Sequence, residues 1–290
     1  MNALLRSESP WAQAFRRLRS NRPALFGAVI LVAITLACAV GPAILGLDAV
    51  VTTPEARNLP PSAAHWFGTD ALGRDVFARV LVGGRASLAV GLVATLVSVL
   101  VGVSYGMVSG FYGGKLDEVL MRFVDFLYGL PYMFLVILIM LLFSETARGQ
   151  MLPVFVALGM VQWLTMARIV RGQVLALRER EFVLAAELLG ASDLRVLLRH
   201  LLPNIAGVVI VYATLMVPSV IILESFLSFL GLGVSLSWGQ LVSDGIAVVN
   251  PVRSYWWLLF WPSLFLGLTL LSLNFLGDGL RDALDPKSRE

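Results

Sequence analysis

Six intervals of this 290-residue chain contain no Asp, Glu, Lys or Arg and are long enough to cross a lipid bilayer. They are residues 23–47, 86–114, 126–144, 149–167, 200–223 and 254–277. At about 1.5 Å per residue, a helix of this length spans a hydrocarbon core of about 30 Å. The apolar runs are continuous and lack the alternation that barrel strands require. The sequence therefore predicts an all-α integral membrane protein with six transmembrane helices.

Composition agrees with this and argues against a soluble globular domain. Only 14% of the residues are charged, against about 25% in globular domains, and the mean hydropathy is +0.83. Arginines precede the first interval, as they do in a secretory signal, but the apolar run is too long for a signal core. We expect that interval to remain as an uncleaved span. The single cysteine, Cys38, excludes an intrachain disulfide.

The positions of lysine and arginine predict the orientation. Sixteen of the 22 lie in the N-terminal segment, in 115–122, in 168–199 or in the C-terminal segment. By the positive-inside rule, these segments and both termini are cytoplasmic. The net charge of +3 follows from this topology and does not indicate a nucleic-acid partner.

A charged, helix-prone stretch, EFVLAAELLGASDLRVLLRHLLPN, interrupts the apolar intervals at residues 181–204. Gly190 lacks a Cβ and so permits a left-handed turn after the first helix. Ser192 can cap a second short helix with Asp193 in its first turn, and Pro203 is expected to end it. The stretch predicts two short helices joined by a tight turn on the cytoplasmic side.

The pair Ala185 and Ala186 leaves a patch of small side chains just before that turn. A helix with only methyl groups there can sit deep in the groove of another protein. From the spacing alone, two other readings stay open. The helix could lie on the lipid surface, or the segment could pack on the protein's own spans.

The same alanines, followed after three intervening residues by Gly190 and then by Leu202 and Pro203, resemble the EAA loop of permeases in ATP-binding-cassette importers. The resemblance extends over most of the chain from residue 65, through WFGTDALGRDVFARVLVGGRASL (66–88), GFYGGKLDEVLMRFVD (110–125), ESFLSFLGLG (224–233) and GDGLRDALDP (277–286). These stretches are similar to the C-type permease subunit of the dipeptide, oligopeptide and nickel importers. The family's leading Glu is replaced by Leu184, and Glu181 or Glu187 could substitute for it.

The resemblance implies the MetI-like fold of a type I importer, in a bacterial inner membrane. A second, homologous permease, two cytoplasmic ATPase subunits and an extracytoplasmic binding protein would be the partners. The short helix of the EAA loop, called the coupling helix, would dock on the ATPase. The residues that this assigns to ATPase coupling are Ala185, Ala186, Gly190, Ser192, Asp193, Leu202 and Pro203.

The implied organisation has five parts. Residues 1–22 form a cytoplasmic tail and 23–47 the first span. Residues 48–85 form an extracytoplasmic loop, in which Leu72, Val76, Val80 and Leu81 recur at helical spacing and predict an amphipathic helix. Residues 86–277 form a five-helix core that includes the coupling loop 168–204. Residues 278–290 form a cytoplasmic tail.

Glu224, Gly231 and Gly233 mark a possible gate region after the fifth interval, similar to the segment near the binding protein in the family. Glu224 could attract a cation or a peptide amino terminus. We favour a simpler role, in which its hydrogen bonds fix a surface or re-entrant loop.

The sequence indicates that this chain is not itself an enzyme. It has no GxxxxGK[ST] stretch, no HExxH and no Ser-His-Asp set, so ATP and Mg would be bound by partner subunits and no cofactor by this chain. His65 and His200 are far apart and lack neighbouring ligands, so we predict no metal site. Di- or oligopeptides are the expected cargo. A nickel chelate or another small solute is the alternative cargo, and an autonomous secondary transporter or a scaffold for an ATPase is the alternative class.

Overall fold

Long helices account for the apolar intervals. The computed structural model of the chain describes residues 10–142, 151–248 and 254–284. Its helices are α1 (Pro10–Ser20), α2 (Arg22–Ile44), α3 (Val76–Tyr112), α4 (Gly114–Gly129), α5 (Tyr132–Leu142), α6 (Met151–Arg178), α7 (Glu181–Leu188), α8 (Asp193–Phe229), α9 (Trp238–Ala247) and α10 (Trp256–Leu284), with a short 3-10 helix at Pro54–Ala56.

Five of these helices, α2, α3, α6, α8 and α10, are long and apolar enough to span a membrane. The bent pair α4 and α5 makes a sixth candidate. The predicted all-α fold with six spans is therefore confirmed. The junction of the third and fourth intervals at 143–150 lies outside the described residues, as do residues 1–9 and 285–290 of the predicted tails and residues 249–253.

The third span is broken rather than straight, which the sequence analysis did not predict. Helices α4 and α5 meet at 87° across the short break at 130–131. Pro131 explains the break, because it has no N–H to donate and its ring clashes with the preceding turn of a helix. The residue before it, Leu130, has the extended backbone (φ −85°, ψ 136°) that a following proline favours.

The amphipathic helix predicted within 48–85 is not a separate element. Helix α3 starts at Val76 and continues without interruption to Tyr112, so its first turns belong to the second span. Asp75 sets the start, because its side chain accepts a hydrogen bond from the Ala78 N–H at 3.0 Å. Val76, Val80 and Leu81 are buried in the protein rather than laid on lipid. Residues 65–75 form turns instead.

Helices α3 and α6 pack closely along a row of glycines in α3. Gly102, Gly106 and Gly110 recur every four residues and so share one helix face. A Cβ at Gly102 would lie 2.7 Å from the Trp163 carbonyl oxygen, and one at Gly110 would lie 2.9 Å from that of Arg171. Without side chains between them the two backbones approach directly, as small residues allow in membranes.

The bundle has two distinct ends. We call one the terminal face: there Arg178 at the end of α6 contacts the end of α3, and Leu284 of α10 approaches Gly207 of α8. The other is the loop face, where Trp257 at the start of α10 donates to the Thr69 carbonyl oxygen at 3.2 Å. Segment 45–75 and α9 lie on the loop face. The 181–204 segment lies on the terminal face.

Replacing Gly106 with alanine should destabilise the protein, because the new methyl group would overlap the carbonyl oxygen of Ala167 and lie 2.9 Å from Cβ of Val170. Overpacking of this kind costs about 1–3 kcal/mol. A lower midpoint of thermal unfolding, measured for the protein in detergent, is the expected result. Gly172→Ala is the matched control, since nothing lies within 4 Å of that position in α6. There alanine should be neutral or stabilise by up to about 1 kcal/mol. Equal midpoints for the two variants would show that α3 and α6 are not tightly packed.

Candidate functional site

The turn at Gly190 has the geometry predicted from the sequence. Gly190 has a φ of +80°, in the left-handed region. Its N–H donates to the Glu187 carbonyl oxygen at 2.9 Å, and the Ala191 N–H donates to that of Ala186 at 3.0 Å. These two bonds form a Schellman motif, which satisfies the last carbonyl groups of α7. The predicted helix stop is confirmed. The assigned role in coupling stays a prediction.

A buried apolar underside holds this segment on the bundle. Val183 of α7 and Val196 of α8 are fully buried, and both belong to a cluster that includes Val174 of α6. Leu201 and Ile205 of α8 are buried in the same cluster. Helix α7 and the first turns of α8 are thus anchored to the bundle and cannot swing freely.

The opposite side of the segment is apolar and exposed, which the sequence analysis missed. Leu188 and Leu189 are 89% and 88% exposed, and Leu194 is 65% exposed. We call these three residues the leucine tip. The charges of this segment place it outside the membrane. Leucines in such a segment are the signal that could have revealed the exposed apolar side. An exposed apolar cluster on a rigid base is typical of a protein interaction site.

The predicted coupling residues differ in their exposure to solvent. Ala185, Gly190, Ser192, Asp193 and Pro203 are exposed, whereas Ala186 is buried and Leu202 is half-buried. Glu181 and Glu187, the candidates to replace the missing family Glu, are both exposed. Neither side chain makes a hydrogen bond or ion pair with a described residue. The structure therefore brings these residues together on one short segment.

Two local predictions for this segment were wrong. Ser192 occupies the N-cap position, but its side chain makes no capping hydrogen bond. Pro203 does not end the second helix, because α8 runs through it to Phe229. A π-helical turn at Val196–Leu201 precedes it, and this wider turn relieves the clash between a proline ring and the carbonyl group four residues earlier.

Three arginines of α6 fasten the terminal face. Arg178 donates to the Phe111 carbonyl oxygen at 3.0 Å and so caps the end of α3. Arg171 makes a bidentate pair with Asp117 of α4, with both N–O distances 2.5 Å. Arg168 pairs with Asp125 at 2.6 Å. Arg122, which is three residues before Asp125, pairs instead with Glu118 at 2.6 Å.

Glu224 lies at the centre of a buried hydrogen-bond network in α8. Its carboxylate accepts hydrogen bonds from Ser228 at 2.6 Å and from Ser87 of α3 at 3.5 Å. Ser237 donates to the Ser228 hydroxyl at 3.1 Å, and the Trp238 N–H donates to the Ser87 hydroxyl at 3.1 Å. The network joins α3, α8 and the start of α9. The hydrogen-bonding role favoured for Glu224 is confirmed.

The predicted gate glycines lie in the connection that this network holds. Gly231 is exposed and has a φ of +75°, so it provides the turn at the end of α8. Gly233 lies directly against Ser228, where a Cβ would lie 2.6 Å from the Ser228 backbone nitrogen. The two glycines let the chain fold back onto α8. Whether this connection acts as a gate stays a prediction.

A second ionic cluster fixes the loop face. Arg79 is buried and donates to Asp70 at 2.6 Å and to Asp244 of α9 at 3.3 Å, while Arg74 donates to Asp70 at 2.7 Å. We call these four residues the loop-face clasp. One partner of Arg79, Asp244, is 165 residues away in the sequence, so no local signal identified it.

The electrostatics of the clasp favour the ionised form of Asp70. Burial raises the pKa of the Asp70 carboxyl. Hydrogen bonds from Arg74 and from the Leu72 N–H, with the nearby charge of Arg79, outweigh burial and hold that pKa below its ordinary value. The clasp therefore stays ionised under ordinary conditions.

The fold is that of an ATP-binding-cassette transport permease. The chain superposes on a chain of the MetNI methionine transporter, solved in inward-facing conformations, with a TM-score of 0.58 over 71% of this chain and 96% of that one, at 18% identity. Residues 102–290 match the family of binding-protein-dependent transport system inner membrane components. Residues 9–61 match the N-terminal transmembrane domain of oligopeptide transport permease C.

The chain belongs to the family of inner membrane components of binding-protein-dependent transport systems. It is 47% identical to the dipeptide transport permease DppC of Bacillus subtilis over 95% of this chain and 85% of that protein. It is 44% identical to the oligopeptide permease OppC of the same organism, over 98% and 92%. It is 47% identical to OppC of Escherichia coli, over 97% and 92%. The predicted resemblance to the C-type permeases is confirmed.

Breaking the loop-face clasp should loosen the loop face. Arg79→Met would remove the 2.6 Å partner of the buried Asp70 carboxylate and the link to Asp244 of α9. Because Asp70 keeps Arg74, the cost should be less than the ~3–5 kcal/mol of leaving a buried charge unpaired. We expect faster amide hydrogen exchange in 48–75 and in α9. Arg57→Met is the control, since Arg57 is exposed on the same segment and makes no hydrogen bond or ion pair with a described residue. Unchanged exchange in Arg79→Met would contradict a structural role for the clasp.

Proposed function

We propose that this chain is the C-type permease of an ATP-driven importer of di- or oligopeptides in a bacterial inner membrane. It pairs there with a second, homologous permease to enclose the translocation path. Two ATPase subunits bind on the cytoplasmic side, and a binding protein delivers peptide on the other. ATP and Mg are bound by the ATPase subunits, and this chain is not catalytic. The similarity to dipeptide and oligopeptide permeases supports peptide as the cargo.

The observation that carries this proposal is the leucine tip on its rigid base. We assign the terminal face to the cytoplasm, because the basic segments lie there. The leucine tip and Ala185 then form the surface that enters a groove of the ATPase. Gly190 shapes the turn, Ser192 and Asp193 start α8 beside it, and Ala186, Leu202 and Pro203 support the segment from behind. Because Val183 and Val196 anchor the segment, force applied at the tip reaches α6 and α8.

Gentle extraction from the native membrane, followed by identification of co-purifying proteins and an ATPase assay, tests the proposed assembly. We expect a second permease and ATPase subunits in the complex, with measurable ATP hydrolysis. In proteoliposomes with the binding protein, the complex should accumulate peptide only when ATP is present. Recovery of the chain alone, without ATP hydrolysis, would instead favour an autonomous transporter. ATP-driven uptake of a nickel chelate without peptide uptake would change the cargo.

Substitution of Gly190 tests the coupling role. Gly190→Val places a β-branched residue at a φ of +80°, which costs about 1–3 kcal/mol and lowers the population of the turn about 5- to 150-fold. We expect ATP hydrolysis to continue while transport falls by a comparable factor, with membrane insertion unchanged. Gly190→Asn is the matched control, because asparagine tolerates the left-handed region. It should keep most transport. Normal transport by Gly190→Val would refute the coupling assignment.

A further inference from the structure

A cavity of about 650 Å³ lies at the break between α4 and α5, where the break faces α6 and α8. Small-molecule sites typically measure about 300–1,000 Å³, so the cavity is large enough for a short peptide. It is lined at the break by Leu130 and Pro131, on α6 by Gln162 and on α8 by Ser219. It is separate from the leucine tip, the loop-face clasp and the Glu224 network.

The cavity lies near half depth in the membrane. The break is close to the middle of the α4–α5 pair, and Gln162 is close to the middle of α6. Ser219 lies ten residues, or about 15 Å, before the loop-face end of α8. Irregular backbone at this depth is tolerated only where it is buried in protein or lines a water-filled cavity, because lipid offers no hydrogen-bond partners. At the break the Leu130 N–H donates to the Leu127 carbonyl oxygen at 3.3 Å, and the Phe134 N–H donates to the Pro131 carbonyl oxygen at 2.9 Å. The position of this irregular backbone beside a cavity agrees with that rule.

The side chains that line the cavity are apolar, with a few uncharged polar groups between them. The polar ones are Tyr128, Tyr132, Gln162, Thr165 and Ser219, and none of the described lining residues is charged. The side-chain amide of Gln162 makes no hydrogen bond to any described residue. Its amide can donate two hydrogen bonds and accept two, which complements the C=O and N–H of a peptide group. A groove for lipid tails would not require these polar groups.

A polar contact closes the cavity towards the terminal face. The hydroxyls of Tyr128 and Thr165 are hydrogen-bonded at 2.5 Å. One turn further, Arg168 pairs with Asp125 and lies 3.8 Å from the centre of the Tyr128 ring. These contacts join α4 to α6 and fix the Tyr128 ring as part of the cavity floor.

We propose that this cavity is the part of the translocation path contributed by this chain, and that it binds the backbone of a short peptide, with Gln162 pairing with a peptide group. This inference rests on the proposed function. Because the lining is uncharged, the site recognises the feature that all peptides share and is indifferent to the charges of their side chains.

Water access and peptide protection at Ser219 test the proposal. In the Cys38→Ala background, Ser219→Cys is introduced, and the complex is purified with its native partners in nanodiscs. A hydrophilic methanethiosulfonate should label the new thiol, because the reaction needs the thiolate and hence water. Millimolar trialanine should slow the labelling. Adding Gln162→Leu should raise the trialanine concentration for half-protection about three- to tenfold, the change expected for one lost neutral hydrogen bond.

Asn274→Leu is the matched control, since it makes a similar exchange of amide for apolar side chain in α10. There the Asn274 amide donates only to the Leu270 carbonyl oxygen of its own helix, at 2.9 Å. It should leave protection unchanged. An unreactive thiol, labelling that trialanine does not slow, or equal effects of the two leucine variants would overturn the inference.

ATP-driven uptake of trialanine by the wild-type complex with its binding protein separates the two proposals. If uptake occurs but trialanine gives no protection at Ser219, the proposed function stands and this site is wrong. If uptake is absent, the proposed function fails, and protection at Ser219 would then show only that the cavity binds peptide.

Discussion

The direct contact between α3 and α6 is the interaction on which the rest of the structure depends. In a membrane, helices gain little from the hydrophobic effect when they associate, so close packing must supply the attraction. The glycines at 102, 106 and 110 supply it here, because they have no side chains of their own and so let the backbone and the Cβ atoms of α6 approach α3 closely. The ionic contacts at the terminal face then fix the register, because Arg178 reaches the last carbonyl groups of α3 and Arg171 holds Asp117 of α4.

Helix α6 connects the two sites that we propose to act in transport. Its middle carries Gln162 and Thr165, which line the cavity at half depth. Its end carries the arginines of the terminal face and leads, after two residues, into α7. Over 28 residues the helix is about 42 Å long. Since it is packed against α3 along most of this length, a displacement of the leucine tip would move α6 and the cavity wall as one body.

The sequence was most informative where the cause of a structure is local. Gly190 could be assigned to a left-handed turn because only its own missing Cβ and the preceding helix formers matter. The role of Arg79 could not be predicted, because one of its partners, Asp244, is 165 residues away and reaches it only after α9 folds back. The prediction that Pro203 ends a helix was wrong for the same reason. The π turn that accommodates this proline depends on the packing of Val196 and Leu201.

The broken third span shows how function competes with stability in this bundle. A straight apolar helix through 126–142 would satisfy its backbone hydrogen bonds internally, whereas Pro131 removes one backbone donor and breaks the helix inside the membrane. Such a break persists only if other parts of the protein or a polar ligand replace the lost partners. Here the uncharged hydroxyl and amide groups of α6 and α8 face the break, while the ion pairs of the described residues stay towards the two ends. The charged side chains thus hold helices together, whereas uncharged polar side chains line the proposed path.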